Sequence, residues 1–259
     1  QISYNWKSFA KNAKLIMIDI DKSEIKKHTL NIKKGFNYDL KVFLPELEKK
    51  LTNWKTINFH KVFWNWCKKI SNKYPIIQAH HFKKNKVNPY GFFEILYKNL
   101  SSKDTVVLAN GTACVVGLQT SNIKKGMRLF TNSGAASMGY DLPAAIGACL
   151  SYNKKKRVIC VAGDGSLMMN LQEIATMYYK DLPIKLFILG NKGYHSIRQT
   201  QKNYFPDNPC GTSENDGLGL PDFVKLGKSF GIKSQTIKKK KKLDLVLSSR
   251  EFKDASPQI

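Results

Sequence analysis

An acidic residue between two glycines directly follows a short, mostly apolar run. The run is RVICVA, residues 157–162, and the motif is Gly163-Asp164-Gly165. The run is typical of a buried strand. Glycine lets the backbone turn sharply and approach a ligand closely, because it has no Cβ atom. Apolar side chains spaced i, i+3, i+4 and i+7 then predict a helix with one buried face. They are Leu171, Ile174, Ala175 and Tyr178.

A second apolar run, Ile184–Leu189, ends at Gly190-Asn191. One strand–helix–strand unit fits between Asp164 and Asn191. Because the carboxyl ends of parallel strands meet at one edge of a sheet, we expect the two side chains to lie close together. A helix N-terminus favours a diphosphate, and a divalent cation offsets the repulsion between that anion and Asp164. We therefore predict an Mg²⁺ or Ca²⁺ site with oxygen ligands from Asp164, Asn191 and the Gly193 carbonyl.

A glycine turn without any ligand is the alternative interpretation. The GDG tripeptide is short and occurs often by chance. An amide residue at the end of the next strand is the observation that favours the cofactor site over the plain turn.

Three segments then bear on family membership. The first is GDG followed by Asn191. The second is NSGAASMGYDLPAAIGAC, residues 132–149, and the third is KLIMIDIDKSEI, residues 14–25. The first looks like a thiamine diphosphate (TPP) motif, and the second resembles "SGGLGTMGxGLPAAIGA" of acetolactate synthases. The third is similar to the last strand and turn of their central domain. The segments occur in the family's order, and the resemblance covers most of residues 1–235.

The resemblance implies a metal site and a cofactor site. Asp164 and Asn191 match the metal ligands, with the Gly193 carbonyl as the third. Gly163 belongs to the same loop, and backbone N–H and hydroxyl donors of Gly165 and Ser166 would meet the diphosphate.

The segment at 132–149 implies two further cofactor contacts. Met138 matches an apolar residue that lies under the cofactor, although a core methionine is the alternative. Ala136 stands where a backbone carbonyl accepts the 4′-amino hydrogen, so Ala can replace the usual Gly if its φ and ψ allow.

Departures from the family concern the second substrate. Thr200 stands where acetolactate synthases usually carry a Trp that shapes the acceptor pocket, and ANGTACVVG, residues 109–117, replaces a "GQHQMW"-like segment. Gly190 replaces the first Asn of the usual pair, which is not a ligand. The departures indicate family-like chemistry with a different acceptor.

Charge and composition bound the class of protein. The formal net charge is +24, from 43 Lys and Arg against 19 Asp and Glu, and 42% of residues are hydrophobic. The basic residues are spread along the chain without a nucleic-acid-binding signature, so we expect no nucleic-acid partner. No apolar run of membrane-spanning length and no signal peptide is evident, which predicts a soluble, cytoplasmic chain without a membrane partner. Five scattered cysteines are expected to be mostly reduced core residues.

The predicted fold is α/β, with a parallel sheet flanked by helices. Residues 1–58 are interpreted as the end of a Rossmann-like middle domain, 59–88 as a linker, and 89–259 as the TPP- and Mg²⁺-binding domain. Strands are expected near 15–20, 105–109, 129–132, 158–162 and 184–189. Helices are expected near 40–51, around 64–70, and from Leu142 with Asp141 as its N-cap.

The resemblance also implies that an activating Glu lies in an N-terminal pyrimidine-binding domain that this chain does not match. We therefore assign no catalytic residue here. We expect a truncated or split reading frame, because the family's closing "GPxxIEV"-like strand is also not matched. A partner polypeptide or full-length homologue in a dimer or tetramer would complete the site, and the chain alone would bind TPP weakly or not at all. FAD, used by some of the family, stays undecided.

Two enzyme functions and two others remain open. The leading one is decarboxylation of a 2-oxo acid such as pyruvate, with transfer of the acyl unit to a carbonyl acceptor. A simple 2-oxo acid decarboxylase is the runner-up. A non-catalytic subunit and a nucleic-acid-binding protein are the remaining alternatives.

Overall fold

The computed structural model describes residues 5–54, 58–83, 86–254 and 256–259. These residues form two compact units, 1–74 and 75–259. The boundary falls inside the predicted linker, and a helix, Asn58–Lys73, occupies much of that linker. Each unit is described by itself below.

The first unit contains a pair of parallel strands, β1 (Leu15–Asp19) and β2 (Ile32–Asn37). Its helices are α1 (Lys22–Ile25), α2 (Leu40–Leu51) and α3 (Asn58–Lys73), with a 3₁₀ turn at Trp6–Ser8. Asp39 caps α2 by accepting a hydrogen bond from the Lys41 N–H, which explains why the helix begins there. The predicted strand at 15–20 and helix at 40–51 are confirmed.

The first unit leaves its apolar side chains open. None of its described residues is buried, and Ile16 on β1 is 62% exposed. Parallel strands are normally covered on both faces. The interpretation of residues 1–58 as the end of a middle domain stays a prediction.

A four-stranded parallel sheet forms the centre of the second unit, in the order β4-β3-β5-β6. Its strands are β3 (Thr105–Leu108), β4 (Arg128–Thr131), β5 (Val158–Gly163) and β6 (Ile184–Leu189). All four were predicted to within one residue at each end. Short apolar runs with β-branched residues make them recognisable, and both inner strands are buried along nearly their whole length.

Helices cover both faces of this sheet. They are α4 (Pro89–Asn99), α5 (Gly111–Gln119), α6 (Asp141–Ser151), α7 (Asp164–Leu167), α8 (Glu173–Tyr179), α9 (His195–Tyr204), α10 (Phe223–Ser229), α11 (Lys240–Ser248) and α12 (Arg250–Lys253). The 3₁₀ turns are Ala79–Phe82, Met168–Asn170 and Glu214–Asp216.

Strand β5 divides the core into two clusters. Ile159 and Val161 pack with residues of α4, α5 and α11, whereas Cys160 and Ala162 pack with residues of α6, α8 and α10. Side chains of successive strand residues point to opposite faces, so one strand contributes to both layers. The predicted fold class, a parallel sheet flanked by helices, is confirmed.

Two local predictions around the loop were wrong. The segment after Asp164 is one turn of α7, a 3₁₀ turn and then α8, not one continuous helix. In α8 the buried residues are Ile174 and Met177, while Ala175 and Tyr178 are exposed. A 3₁₀ turn has three residues per turn, so it rotates the buried face relative to an uninterrupted α-helix.

The C-terminal residues pair with the sheet through a buried lysine. The Lys185 ammonium, 1% exposed, donates to Asp254 Oδ1 at 2.9 Å and to the carbonyls of Glu251 and Ser256. Gln258 bridges in parallel to both Lys185 and Lys233. The sequence does not match the closing strand of the family. In the structure, these parallel bridges nevertheless place Gln258 beside Lys185 of β6.

The cysteine prediction is confirmed for three of the five residues. Cys114, Cys149 and Cys160 are buried thiols, whereas Cys210 is exposed and Cys67 is half-buried. Burial raises the pKa of the Cys149 thiol to about 12. Within the described part of the chain, no helix is long and apolar enough to cross a membrane.

Candidate cofactor site

The carboxyl ends of β5 and β6 lie side by side. Gly163 pairs with Leu189 in the parallel register, so the chain leaves both strands at one edge of the sheet. Asp164 follows β5 directly, and Asn191 follows β6 after one residue. Asp164 and Asn191 therefore lie close together, as the sequence predicts.

Three polar groups from these segments converge. One terminal atom of the Asn191 carboxamide lies 2.5 Å from the Gly193 carbonyl oxygen and 3.2 Å from Asp164 Oδ1. Adjacent ligands of an octahedral Mg²⁺ ion are about 3.0 Å apart, given metal–oxygen distances of about 2.1 Å. With the amide nitrogen in this position, both contacts are hydrogen bonds. Turned with its oxygen toward the site, the carboxamide joins the Gly193 carbonyl and the Asp164 carboxylate as a set of oxygen donors that fits Mg²⁺.

Gly193 has a conformation and surroundings that exclude a side chain. Its φ is +121°, and a Cβ atom would lie 2.1 Å from the Thr212 carbonyl oxygen. The preceding Lys192 also has a positive φ, +64°. A non-glycine residue in this region is uncommon, which marks residues 192–193 as a strained turn that directs the Gly193 carbonyl.

Arg198 supports this turn from helix α9. Its guanidinium donates to the carbonyl oxygens of Asn191 and Lys192 at 3.2 Å and of Thr212 at 3.4 Å. Thr212 is held in turn by Asp216, whose carboxylate accepts from the Thr212 hydroxyl at 2.6 Å. That bond is the largest cause of the lowered Asp216 pKa, about 2.

The two glycines of the GDG motif differ in whether their surroundings leave room for a side chain. A Cβ atom on Gly165 would lie 2.2 Å from the Tyr194 ring, so the ring requires glycine there. Gly163 has φ −82° and ψ 151°, and its nearest obstacle is a carbon of Ser166 at 4.0 Å. The expectation that both glycines serve a sharp turn was therefore wrong, because Gly163 is ordinary extended backbone.

The hydroxyl of Ser166 forms hydrogen bonds with two other groups of the protein. It donates to Asp141 Oδ2 at 2.6 Å and accepts from the Gly139 N–H at 2.9 Å. The Gly165 N–H likewise donates to Asp164 Oδ1 at 2.8 Å. These bonds differ from the expectation that both groups donate to a diphosphate.

Asp141 does not cap helix α6 in the expected way. The N-cap position is Tyr140, and Asp141 is the first helical residue, where its Oδ1 accepts from the Leu142 N–H at 2.9 Å. The carboxyl group is completely buried, and burial raises its pKa.

Ala136 adopts the left-handed conformation that a glycine would favour. Its φ is +52°, and its carbonyl accepts from the Asn110 Nδ2 at 2.8 Å. A carbonyl has two lone pairs, so it can accept a second donor. Met138 is 39% exposed, so it is not the core methionine of the alternative interpretation.

The residues that sequence reasoning missed are Asp141 as a buried acceptor, Arg198 as a support and Tyr194 as a neighbour of Gly165. A charged residue inside an apolar segment was the one available signal for Asp141. Nothing in the sequence indicates that Arg198 reaches back to backbone carbonyls. Groups of three or more His, Cys, Asp or Glu side chains that could hold a metal are not found among the described residues.

Comparison with models of protein families shows to which family the chain belongs. Residues 109–254 match the model described as "Thiamine pyrophosphate enzyme, C-terminal TPP binding domain". The chain belongs to the thiamine pyrophosphate enzyme family. The matched range contains every residue of the candidate site, from Ala136 to Gly193.

Relatives of this thiamine pyrophosphate enzyme domain include acetolactate synthase large subunits. The chain is 29% identical over 246 residues to the acetolactate synthase isozyme 2 large subunit of Escherichia coli (strain K12), covering 93% of this chain and 42% of the relative. It is 33% identical over 232 residues to the acetolactate synthase large subunit of Cyanidium caldarium, covering 87% and 38%. The chain thus spans about two fifths of the length of these relatives.

A solved structure has the same fold. The Rhodococcus jostii RHA1 thiamine diphosphate-dependent 4-hydroxybenzoylformate decarboxylase superposes with a TM-score of 0.69 at 17% identity. The match covers 95% of this chain and 43% of that one.

The family match and the acetolactate synthase relatives together confirm the resemblance expected from the sequence, to TPP enzymes of the acetolactate synthase group.

Proposed function

We propose that this chain is the Mg²⁺- and TPP-binding part of an acetolactate synthase-like enzyme. The enzyme decarboxylates a 2-oxo acid of the pyruvate type and transfers the acyl unit to a carbonyl acceptor. The convergence of the Asp164 carboxylate, the Asn191 carboxamide and the Gly193 carbonyl at the sheet edge carries the proposal, together with membership of the family.

In this proposal each segment binds a different part of the cofactor. The three oxygens hold Mg²⁺, and the loop from Gly163 to Ser166 lies against the diphosphate through its backbone. The Ala136 carbonyl accepts the aminopyrimidine hydrogen, and Met138 packs under the cofactor. Its partial exposure leaves its side chain accessible for that contact.

TPP, when bound, supplies the stabilised carbanion that this chemistry needs. This chain's residues orient the cofactor, fix the metal and leave the activating Glu to another polypeptide segment. We therefore propose a partner that contributes a pyrimidine-binding domain, and the 2-oxo acid binds where the two meet.

Cofactor binding is tested with the full chain and Asp164→Ala. The pyrimidine-domain polypeptide is present and TPP is used at millimolar concentration, because the chain alone is expected to bind it weakly or not at all. We expect Mg²⁺ and TPP together to raise the unfolding midpoint of the wild-type chain, because a ligand that binds only the folded state stabilises it. The Asp164→Ala variant should lose this shift, while Asp207→Asn, at an exposed acidic residue, should keep it. An unchanged shift in Asp164→Ala would overturn the assignment and favour a non-catalytic role.

The reaction is tested by product analysis with pyruvate after the chain is combined with a pyrimidine-domain polypeptide. A ligation product such as acetolactate supports the proposal, and acetaldehyde supports the simple decarboxylase. Thr200, an exposed residue of α9 at the position of the family's acceptor-pocket Trp, is the observation that keeps the second function open.

A further inference from the structure

A buried carboxyl group lies beside the proposed cofactor loop without belonging to the metal ligands. Asp141 begins helix α6 and has no exposed surface. Its Oδ2 accepts from the Ser166 hydroxyl at 2.6 Å, and its Oδ1 accepts from the Leu142 N–H at 2.9 Å. Asp141 therefore joins the segment that carries Met138 to the loop that carries Asp164.

This contact determines where the Ser166 hydroxyl points. A serine hydroxyl has a single hydrogen, and here Asp141 takes it. The Ser166 oxygen also accepts from the Gly139 N–H at 2.9 Å, and the side chain is 4% exposed. The hydroxyl thus has a donor and an acceptor partner within the protein, and its hydrogen is not directed at a ligand of the loop.

Burying a carboxyl group costs free energy, and burial raises the pKa of Asp141. The hydrogen bonds that it accepts from the Ser166 hydroxyl and the Leu142 N–H offset part of this cost. The contact with Ser166 therefore couples the carboxyl group to the loop.

We infer that Asp141 is a positioning residue that withholds the Ser166 hydroxyl from the diphosphate and so lowers the affinity of the loop for it. The inference rests on the proposed function, because it requires that the loop binds a diphosphate. Removing the carboxyl group frees the hydroxyl hydrogen for a phosphate oxygen.

The test is a double-mutant cycle on the full chain with Asp141→Ala, Ser166→Ala and the combined variant. Equilibrium dialysis with Mg²⁺ and TPP, extended into the millimolar range, gives the dissociation constants, and Mg²⁺ with inorganic diphosphate serves as the minimal probe. We expect Asp141→Ala to bind about tenfold more tightly, since a hydrogen bond to a charged group is worth that much. Adding Ser166→Ala should remove most of this gain.

A conservative variant controls for the possibility that Asp141→Ala does not fold. Asp141→Asn keeps the size of the side chain but accepts more weakly, so we expect an intermediate gain and a folded protein by circular dichroism. A merely structural role for Asp141 predicts the opposite, namely weaker binding in both Asp141 variants whether or not Ser166 is present.

The outcomes separate this inference from the proposed function. If wild-type binding depends on Asp164 but neither Asp141 variant binds more tightly, the inference is wrong and the proposed function stands. If none of the wild-type, Asp141→Ala and Asp141→Asn chains binds either probe, even with the pyrimidine-domain polypeptide present, both fail. An equal effect of Ser166→Ala in the wild-type and Asp141→Ala backgrounds also overturns the inference.

Discussion

The Gly193 N–H donates to Oδ2 of Asp164 at 3.1 Å. This bond ties the turn after β6 to the end of β5, and it separates the roles of the two carboxylate oxygens. Oδ2 holds the turn, while Oδ1 lies 3.2 Å from the Asn191 carboxamide atom that also contacts the Gly193 carbonyl. A single backbone hydrogen bond therefore aligns the two loops that supply the proposed metal ligands.

Gly193→Ala should destabilise the domain strongly. A Cβ atom there would overlap the Thr212 carbonyl, and φ is +121°. We expect a loss of about 3 kcal/mol in the free energy of unfolding, measured by urea titration. Gly190→Ala is the matched control, because nothing lies within 4 Å of its Cβ position. A change within about 0.5 kcal/mol is expected for the control, and equal losses would contradict the described turn.

Ala136→Gly should stabilise the domain, although glycine usually does the reverse. The left-handed φ of +52° strains an alanine, and relieving this strain outweighs the added flexibility of the unfolded chain. We expect a gain of about 0.5 kcal/mol in the free energy of unfolding. Ala148→Gly, inside helix α6, should cost about 1 kcal/mol. A loss of stability in both variants would show that Ala136 is unstrained.

Acid should weaken the Asp216 contacts before it unfolds the chain. Asp216 accepts from the hydroxyl groups of Thr212 and Ser213, and its pKa is about 2 instead of the usual 3.8. A lowered carboxyl pKa contributes stability that is present above pH 3.8 and is lost as the pH falls toward 2. The urea midpoint of the wild-type chain should therefore fall more steeply in this window than that of Asp216→Asn. Parallel slopes for the two proteins would refute the contribution, and Asp207→Asn provides the control for a generic loss of charge.

The sequence predicted the sheet well because its strands are short apolar runs with clear ends. Ile184–Leu189 matches the observed β6 at both ends, and Asp164 and Asn191 were placed correctly from strand order alone. In parallel α/β sheets, residues that follow neighbouring strands meet at the carboxyl edge of the sheet. The positions of Asp164 and Asn191 could therefore be predicted without knowledge of side-chain packing.

The contacts between distant segments were not predictable in this way. Asp141 meets Ser166 and Arg198 meets Thr212 only after the chain has folded, and periodicity carries no information on such pairs. The same holds for Gly165, where the ring of Tyr194 requires a glycine. A propensity argument suggested an N-cap for Asp141, but tertiary hydrogen bonding placed its carboxyl group in the core.

Metal binding by the converging oxygens is the central claim, and Mn²⁺ titration followed by electron paramagnetic resonance tests it most directly. In the presence of millimolar TPP and the pyrimidine-domain polypeptide, the wild-type chain should bind one Mn²⁺, which Mg²⁺ displaces. Asn191→Asp keeps an oxygen donor and should retain the site, whereas Asn191→Leu removes the donor and should weaken binding at least tenfold, about 1.4 kcal/mol. Equal Mn²⁺ affinity in wild type, Asn191→Leu and Asp164→Ala would contradict the account.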